Sequence, residues 1–162
     1  MHSFKPGKVE AWWAAMGAAM QDPAQMEKYS ADAKAAGYFN HSFLPVEMGS
    51  DKKINCLWEC RDAECAAKFQ EFIDGPMGPG NLEPGLDAME NECIHAIEGA
   101  MTPASAFAEG FAPAEAKATT GAFWWVYHAF KEGKAEGWWK NISAAMSDES
   151  SMKAMQDGYA AK

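Results

Sequence analysis

Residues 2–26 read HSFKPGKVEAWWAAMGAAMQDPAQM, and residues 128–152 read HAFKEGKAEGWWKNISAAMSDESSM. Aligned without a gap at a constant offset of 126, they share 13 of 25 positions, among them His2/His128, Phe4/Phe130, Gly7/Gly133, Trp12/Trp138 and Trp13/Trp139. The second copy shows what kind of unit repeats. Residues 122–130, AFWWVYHAF, are aromatic and β-branched, as a strand is. Glu132-Gly133 makes a turn. From Lys134 the residues Trp138, Ile142, Ala145 and Met146 recur at three- and four-residue steps, the period of a helix. The repeated unit is therefore strand, tight turn, helix. In the first copy the strand shrinks to MHSF, and the helix carries Val9, Trp12, Trp13, Met16 and Met20 on its apolar side. Asp22-Pro23 interrupts it, and a shorter helix over 24–36 follows.

Reading onward, Gly37 caps that helix. Residues 38–47 form a strand whose Pro45 suits an edge position. The polar run MGSDKK at 48–53 is a hairpin turn, and 54–59, INCLWE, is the returning strand. Asp62 is a good N-cap for a helix over 63–73 with Ala66, Phe69, Phe72 and Ile73 on one face. Residues 74–85 hold four Gly and three Pro and form a loop. Residues 92–97, ECIHAI, are a last strand. The order β-α-β-β-α-β over residues 1–98 predicts an α+β fold, a ferredoxin-like unit with an antiparallel sheet. Residues 99–121, rich in Ala, Pro and Glu, read as a linker. Residues 122–162 are a partial second repeat, strand plus helix. A bare strand-helix pair cannot bury its own apolar face. Two expectations stay open: the chain is one slice of a tandem array, or its last segment packs on the first unit or on a partner.

Composition narrows the function classes. A net charge of −9 argues against nucleic acid and anionic membranes as partners. No apolar run reaches the ~18 residues that a membrane span needs, and MHSFKPGK lacks a signal-peptide core. The expected setting is the cytoplasm or an organelle stroma. Cysteines 56, 60, 65 and 93 are unevenly spaced and read as reduced.

Residues 37–73 resemble the middle of dimeric α/β-barrel proteins, the group of the antibiotic-biosynthesis-monooxygenase-like and muconolactone-isomerase-like proteins and of little-characterised nickel-binding relatives. The features that carry the resemblance are Gly37 before a strand with His41-Ser42, a short polar turn, the strand Cys56-Leu57-Trp58-Glu59 and the acidic cap Asp62. The opening F-K-P-G-K-x-E-x-W-W fits the same group. The resemblance covers residues 1–98 and implies a dimer formed by packing open sheet faces. It also implies that a strand histidine, here His41, contributes to a metal in the nickel-binding members. It does not fix a chemistry, because this fold hosts many.

The candidate residues follow. His2, His41, His95 and His128 all fall on expected strands. Antiparallel pairing of the first and last strands would bring His2 and His95 together. His41 with Glu59 or His95 could move a proton near neutral pH. His41 is also the metal candidate, with Glu47, Glu59, Cys56 and Cys60 for company. Such a site needs three or four converging ligands; the plainer reading is separate, hydrogen-bonded histidines. Cys56, Trp58 and Cys60 share one face of their strand, and their C-x3-C spacing is not a zinc or redox motif. Cys65 lies in a first helical turn, where a thiolate is favoured. Adjacent residues on a helix lie about 100° apart, so only one member of each Trp pair can face a core fully. Trp12, Trp13, Trp58, Trp124, Trp138 and Trp139 are the expected ligand-contacting or interface residues. The leading expectation is a small-ligand-binding or protein-interaction module that forms homo-oligomers through its sheet or Trp-bearing surfaces. The alternatives are a monooxygenase- or isomerase-like enzyme acting on a small apolar substrate, and a metal-binding protein of the nickel type. No cofactor is expected outside the divalent metal of that last alternative.

Overall fold

Gly7 turns the chain at φ +72°, and Gly133 repeats the turn at φ +69°, a conformation that a side chain resists. Each turn feeds a helix. In the computed structural model, which describes residues 1–94, 102–113, 129–150, 152–153 and 157, the chain divides into two units, Met1–Glu115 and Ala116–Lys162.

The first unit is α+β. Strand β1 (His2–Phe4) leads through Gly7 to α1 (Val9–Met20) and α2 (Pro23–Ala35). Asp22 starts α2 by accepting hydrogen bonds from the Ala24 and Gln25 N–H groups, with Pro23 in the first turn. Strand β2 (Tyr38–Pro45) and β3 (Ile54–Cys60) form a hairpin, α3 (Ala63–Ala67) and α4 (Phe69–Asp74) follow, and β4 (Met89–Asn91) ends the sheet. The sheet order is β2-β3-β1-β4, and every pairing is antiparallel. Pro45 lies on an edge strand, where its missing N–H costs no ladder bond.

Three elements depart from the sequence expectation. The helix expected over 63–73 is two helices that break at Lys68. The last strand is Met89–Asn91, not 92–97. Its pairing with β1, Ser3 opposite Glu90 and Phe4 opposite Met89, makes it a strand, not its own β propensity. Glu92, Cys93 and Ile94 carry no regular structure, and residues 95–97 lie outside the described residues. The expected linker is also not free of the first unit: Ala106 is completely buried, and Phe111 packs edge-on against Phe39 at 5.2 Å. Apolar and hydrogen-bonding contacts with the sheet make residues 105–111 a strap.

The core forms where α1 meets the sheet. Trp12, Met16, Ile54, Ala88 and Met89 are buried together, with Phe4, Trp13 and Phe43 packed on them. Trp12 is 0% exposed, and its Nε1 donates to the Pro79 carbonyl at 2.7 Å. Trp13 is half-buried and donates to the Ser50 carbonyl at 2.8 Å. Gly37 sits at φ +98°, and a Cβ there would collide with the Cys65 Sγ.

In the second unit, α5 (Ala135–Ser147) has no buried residue. The strand expected over 122–130 lies outside the described residues up to His128, and Ala129 and Phe130 carry no regular structure. The aromatic triad is nonetheless present. Phe130–Trp138 centroids are 5.3 Å apart at 64°, against 5.4 Å and 65° for Phe4–Trp12. Trp138–Trp139 are 4.8 Å apart at 87°, against 4.9 Å and 84° for Trp12–Trp13. The same rings that form a core in the first unit are exposed in the second, Trp138 by 46% and Trp139 by 41%. Trp12→Ala is therefore expected to lower unfolding stability by about 3–5 kcal/mol, and Trp138→Ala by less than about 0.5 kcal/mol, measured by denaturant titration of the full chain. Equal losses would contradict this asymmetry.

Candidate functional site

Between the sheet and the two long helices the packing is incomplete. A cavity of about 140 Å³ is walled by Trp12, Met16 and Met20 of α1, Met26 and Tyr29 of α2, and His2, Asn40, Phe43, Ile54, Cys56 and Met89 of the sheet, with Pro79 and Leu82 at one end. A second cavity of about 250 Å³ shares Met26, Tyr29, Asn40 and Phe43 as walls and adds Ser30, Ala33, His41, Ser42 and Trp58. The break at Asp22-Pro23 creates this space, because it swings α2 over β2 instead of letting α1 run on. Flexible methionines on the helix side make an adaptable apolar wall.

The polar atoms in these walls are set by their neighbours. His2 is 3% exposed, and its Nδ1 lies 2.5 Å from Asn91 Oδ1. The Asn91 amide nitrogen donates to the Ile73 carbonyl at 3.0 Å and to Asp74 Oδ1 at 2.8 Å, which fixes its oxygen towards His2. The Nδ1 atom therefore carries a proton. Burial holds the imidazole below its ordinary pKa, against the raising effect of the Asn91 bond. Among the described residues, the buried atoms His2 Nε2, Tyr29 Oη and Trp58 Nε1 have no hydrogen-bond partner. Burial pushes the Tyr29 phenol up, and it pushes the Cys56 thiol up to about 11, so both stay protonated at neutral pH.

His41 belongs to a different arrangement. Asn40 pairs with Trp58 and Ser42 with Leu57, so His41 is the extra residue of a β-bulge. Its Nε2 lies 2.8 Å from Glu59 Oε2. The Ala106 N–H donates to the same oxygen at 2.7 Å, and the Ser105 hydroxyl donates to Oε1. Burial alone would raise the Glu59 carboxyl. The donors Ser105, Ala106 and His41 together outweigh it and hold the group below its ordinary pKa. Phe39 and Phe111 flank the imidazole at 4.9 and 6.1 Å, and the Lys34 ammonium stands 5.3 Å from the Phe111 ring centre.

The two arrangements collect some of the residues singled out in sequence and not others. His41 and Glu59 are paired. His95, Trp124 and His128 lie outside the described residues, so the expected His2–His95 pairing does too; the partner found for His2 is Asn91. Trp58 lines the second cavity. Trp12 is core and cavity wall together, Trp13 is tied to the hairpin turn, and Trp138 and Trp139 stand on an open helix face. Of the residues considered beside His41 for a metal, Glu47 pairs with Lys52 at 2.7 Å. Cys56 and Cys60 alternate with Glu59 and so lie on the other sheet face. Among the described residues, no three His, Cys, Asp or Glu side chains group in a way that could hold a metal ion. The Cys60 thiol is pushed up to about 11 by burial and by neighbouring Cys65. Cys65 itself is buried, with its sulfur 3.6 Å from Arg61 Nη2. Sequence reasoning missed Tyr29, Asn40, Asn91 and the strap residues Ser105 and Phe111. The Asp22-Pro23 break was the one signal that pointed to Tyr29.

The family model described as a domain of unknown function (DUF8652) matches residues 1–110 and 123–162. The chain belongs to that family. The second matched stretch contains the whole second copy of the repeat. No curated protein and no solved structure matches the chain. Among the described residues, no helix is long and apolar enough to cross a membrane.

Glu59→Ala removes the acceptor shared by Ser105, Ala106 and His41. It is expected to cost roughly 2 kcal/mol and to speed amide exchange at Ala106 at least tenfold, while exchange at Trp12 keeps its rate. The Glu59 carboxyl has a folded pKa depressed from its usual 4.5. Its contribution is complete above that value and is lost as the pH falls through the lower folded value. Acid titration of strap protection in the parent should show this loss, and the variant should not.

Proposed function

We propose that residues 1–98 of this family member form a ferredoxin-like unit of the dimeric α/β-barrel type whose role is to bind a small, largely apolar molecule between its sheet and the helices α1 and α2. The paired cavities carry this reading. Well-packed interiors hold few voids larger than a water molecule, and apolar pockets with a few polar wall atoms are where small ligands bind. A cavity near 150 Å³ lined by apolar side chains accepts a benzene-sized guest; the smaller space here is about 140 Å³, and its neighbour is larger. The sheet order β2-β3-β1-β4 supports the fold assignment. The exposed face of Phe130, Trp138 and Trp139 supports the interaction half of the reading, with homo-oligomers built through the second copy.

A second reading, a monooxygenase- or isomerase-like enzyme, draws on one observation: His41 lines the larger cavity while Glu59 holds its Nε2. With Nε2 held against the Glu59 carboxylate, Nδ1 is the nitrogen left to take a proton from a bound molecule. The metal-binding reading keeps His41 as its one candidate ligand.

Toluene serves as a probe for the first reading. At ten times its dissociation constant it is expected to add about 1.4 kcal/mol to unfolding stability, and Met26→Trp, which fills the wall shared by both cavities, should remove the effect. Toluene that leaves the thermal transition unmoved up to its solubility limit would sink the binding reading. The enzymatic reading requires that bound molecules recovered from the parent be chemically altered and those from His41→Gln be unaltered.

A further inference from the structure

Among the described residues, the cavities hold three polar wall residues whose buried atoms lack partners, and the donor or acceptor role is fixed for two of these atoms. His2 Nδ1 carries its proton towards Asn91, because the Asn91 amide nitrogen is committed to Ile73 and Asp74. The His2 Nε2 atom is therefore a lone pair, an acceptor without a donor. Trp58 Nε1 is an N–H without an acceptor, and Tyr29 Oη serves in either sense. His2 and Tyr29 both line the smaller cavity, and Tyr29 and Trp58 both line the larger one. Each buried polar atom left unpaired costs about 1–3 kcal/mol. Three such atoms gathered around one pair of cavities call for a common partner. Among the described residues, no Lys, Arg, Asp or Glu lines either cavity, so a charged guest would meet no opposite charge.

We propose, building on the binding reading above, that the guest is an uncharged hydroxyl-bearing molecule, an aryl or alkyl alcohol, whose O–H donates to His2 Nε2 and whose oxygen accepts from the Tyr29 hydroxyl. The Trp58 N–H is then left for a second acceptor oxygen on longer members of the class. A guest with an acceptor oxygen alone satisfies Tyr29 and leaves His2 unpaired. A hydrocarbon satisfies neither.

Toluene, anisole and phenol separate these cases at nearly constant size. Titration calorimetry of the full chain should give phenol a dissociation constant at least about tenfold below that of anisole, the worth of one added buried hydrogen bond. The ¹⁵N resonance of His2 Nε2 should move with phenol and stay with anisole. His2→Phe should bring phenol to the affinity of anisole. The parent series stands without that variant, should it fail to fold. If toluene binds and phenol is no tighter than anisole, the hydroxyl assignment falls and the apolar binding site stands. If none of the three binds, the binding reading falls and takes this assignment with it.

Discussion

The first unit depends on the burial of one indole. Trp12 is completely enclosed, touches Phe4, Trp13 and Phe43 with its ring, and ties its N–H to the Pro79 carbonyl. These contacts join α1 to the sheet and to the Gly/Pro-rich loop before β4. The loop is thereby ordered without regular structure beyond the 3-10 turn at Pro79–Asn81. Ala88 and Met89 are held beneath the same ring in the core, and β4 can then pair with β1 through only three residues. The indole also walls the smaller cavity, so the group that closes the core bounds the space beside it.

Much of this was legible from periodicity. Val9, Trp12, Met16 and Met20 mark a helix, Asp22-Pro23 ends it, and the alternation of Cys56, Trp58 and Cys60 gives the face of β3. Features that depend on partners far along the chain were not legible. Met89-Glu90-Asn91 has no β-branched residue and becomes a strand because β1 lies beside it. His41 follows the alternation of β2 in sequence, but the bulge gives it no opposite residue, and its imidazole turns to Glu59. Residues 102–111 have a linker's composition; Glu59 and Phe39, dozens of positions upstream, make part of them a strap. For the site, the His41–Glu59 pair could be inferred from two strands of a hairpin. The Asn91–His2 bond, which decides what His2 can accept, could not.

The smaller cavity and the strap lie on opposite faces of one sheet, with His41 at the bulge touching both the larger cavity and Glu59, and the two faces handle polar groups differently. On the strap face every oxygen of Glu59 has a donor. On the helix face three polar atoms are buried without a partner among the described residues. Satisfied groups hold a structure in place, whereas unsatisfied ones raise its energy until something binds them.

The aromatic triad has the same geometry with a core beneath it and without one. Its three rings lie within ten residues along the chain, so the Gly7-type turn and the first helical turns suffice to assemble them. Contacts so close in sequence close cheaply and early, while the partners of Trp12 at Ile54, Pro79 and Met89 must be brought from far along the chain. The duplicated segment thus carries its aromatic cluster as a local structure, independent of long-range partners. In the first unit the sheet and the loop before β4 cover it, and in the second Trp138 and Trp139 stay exposed.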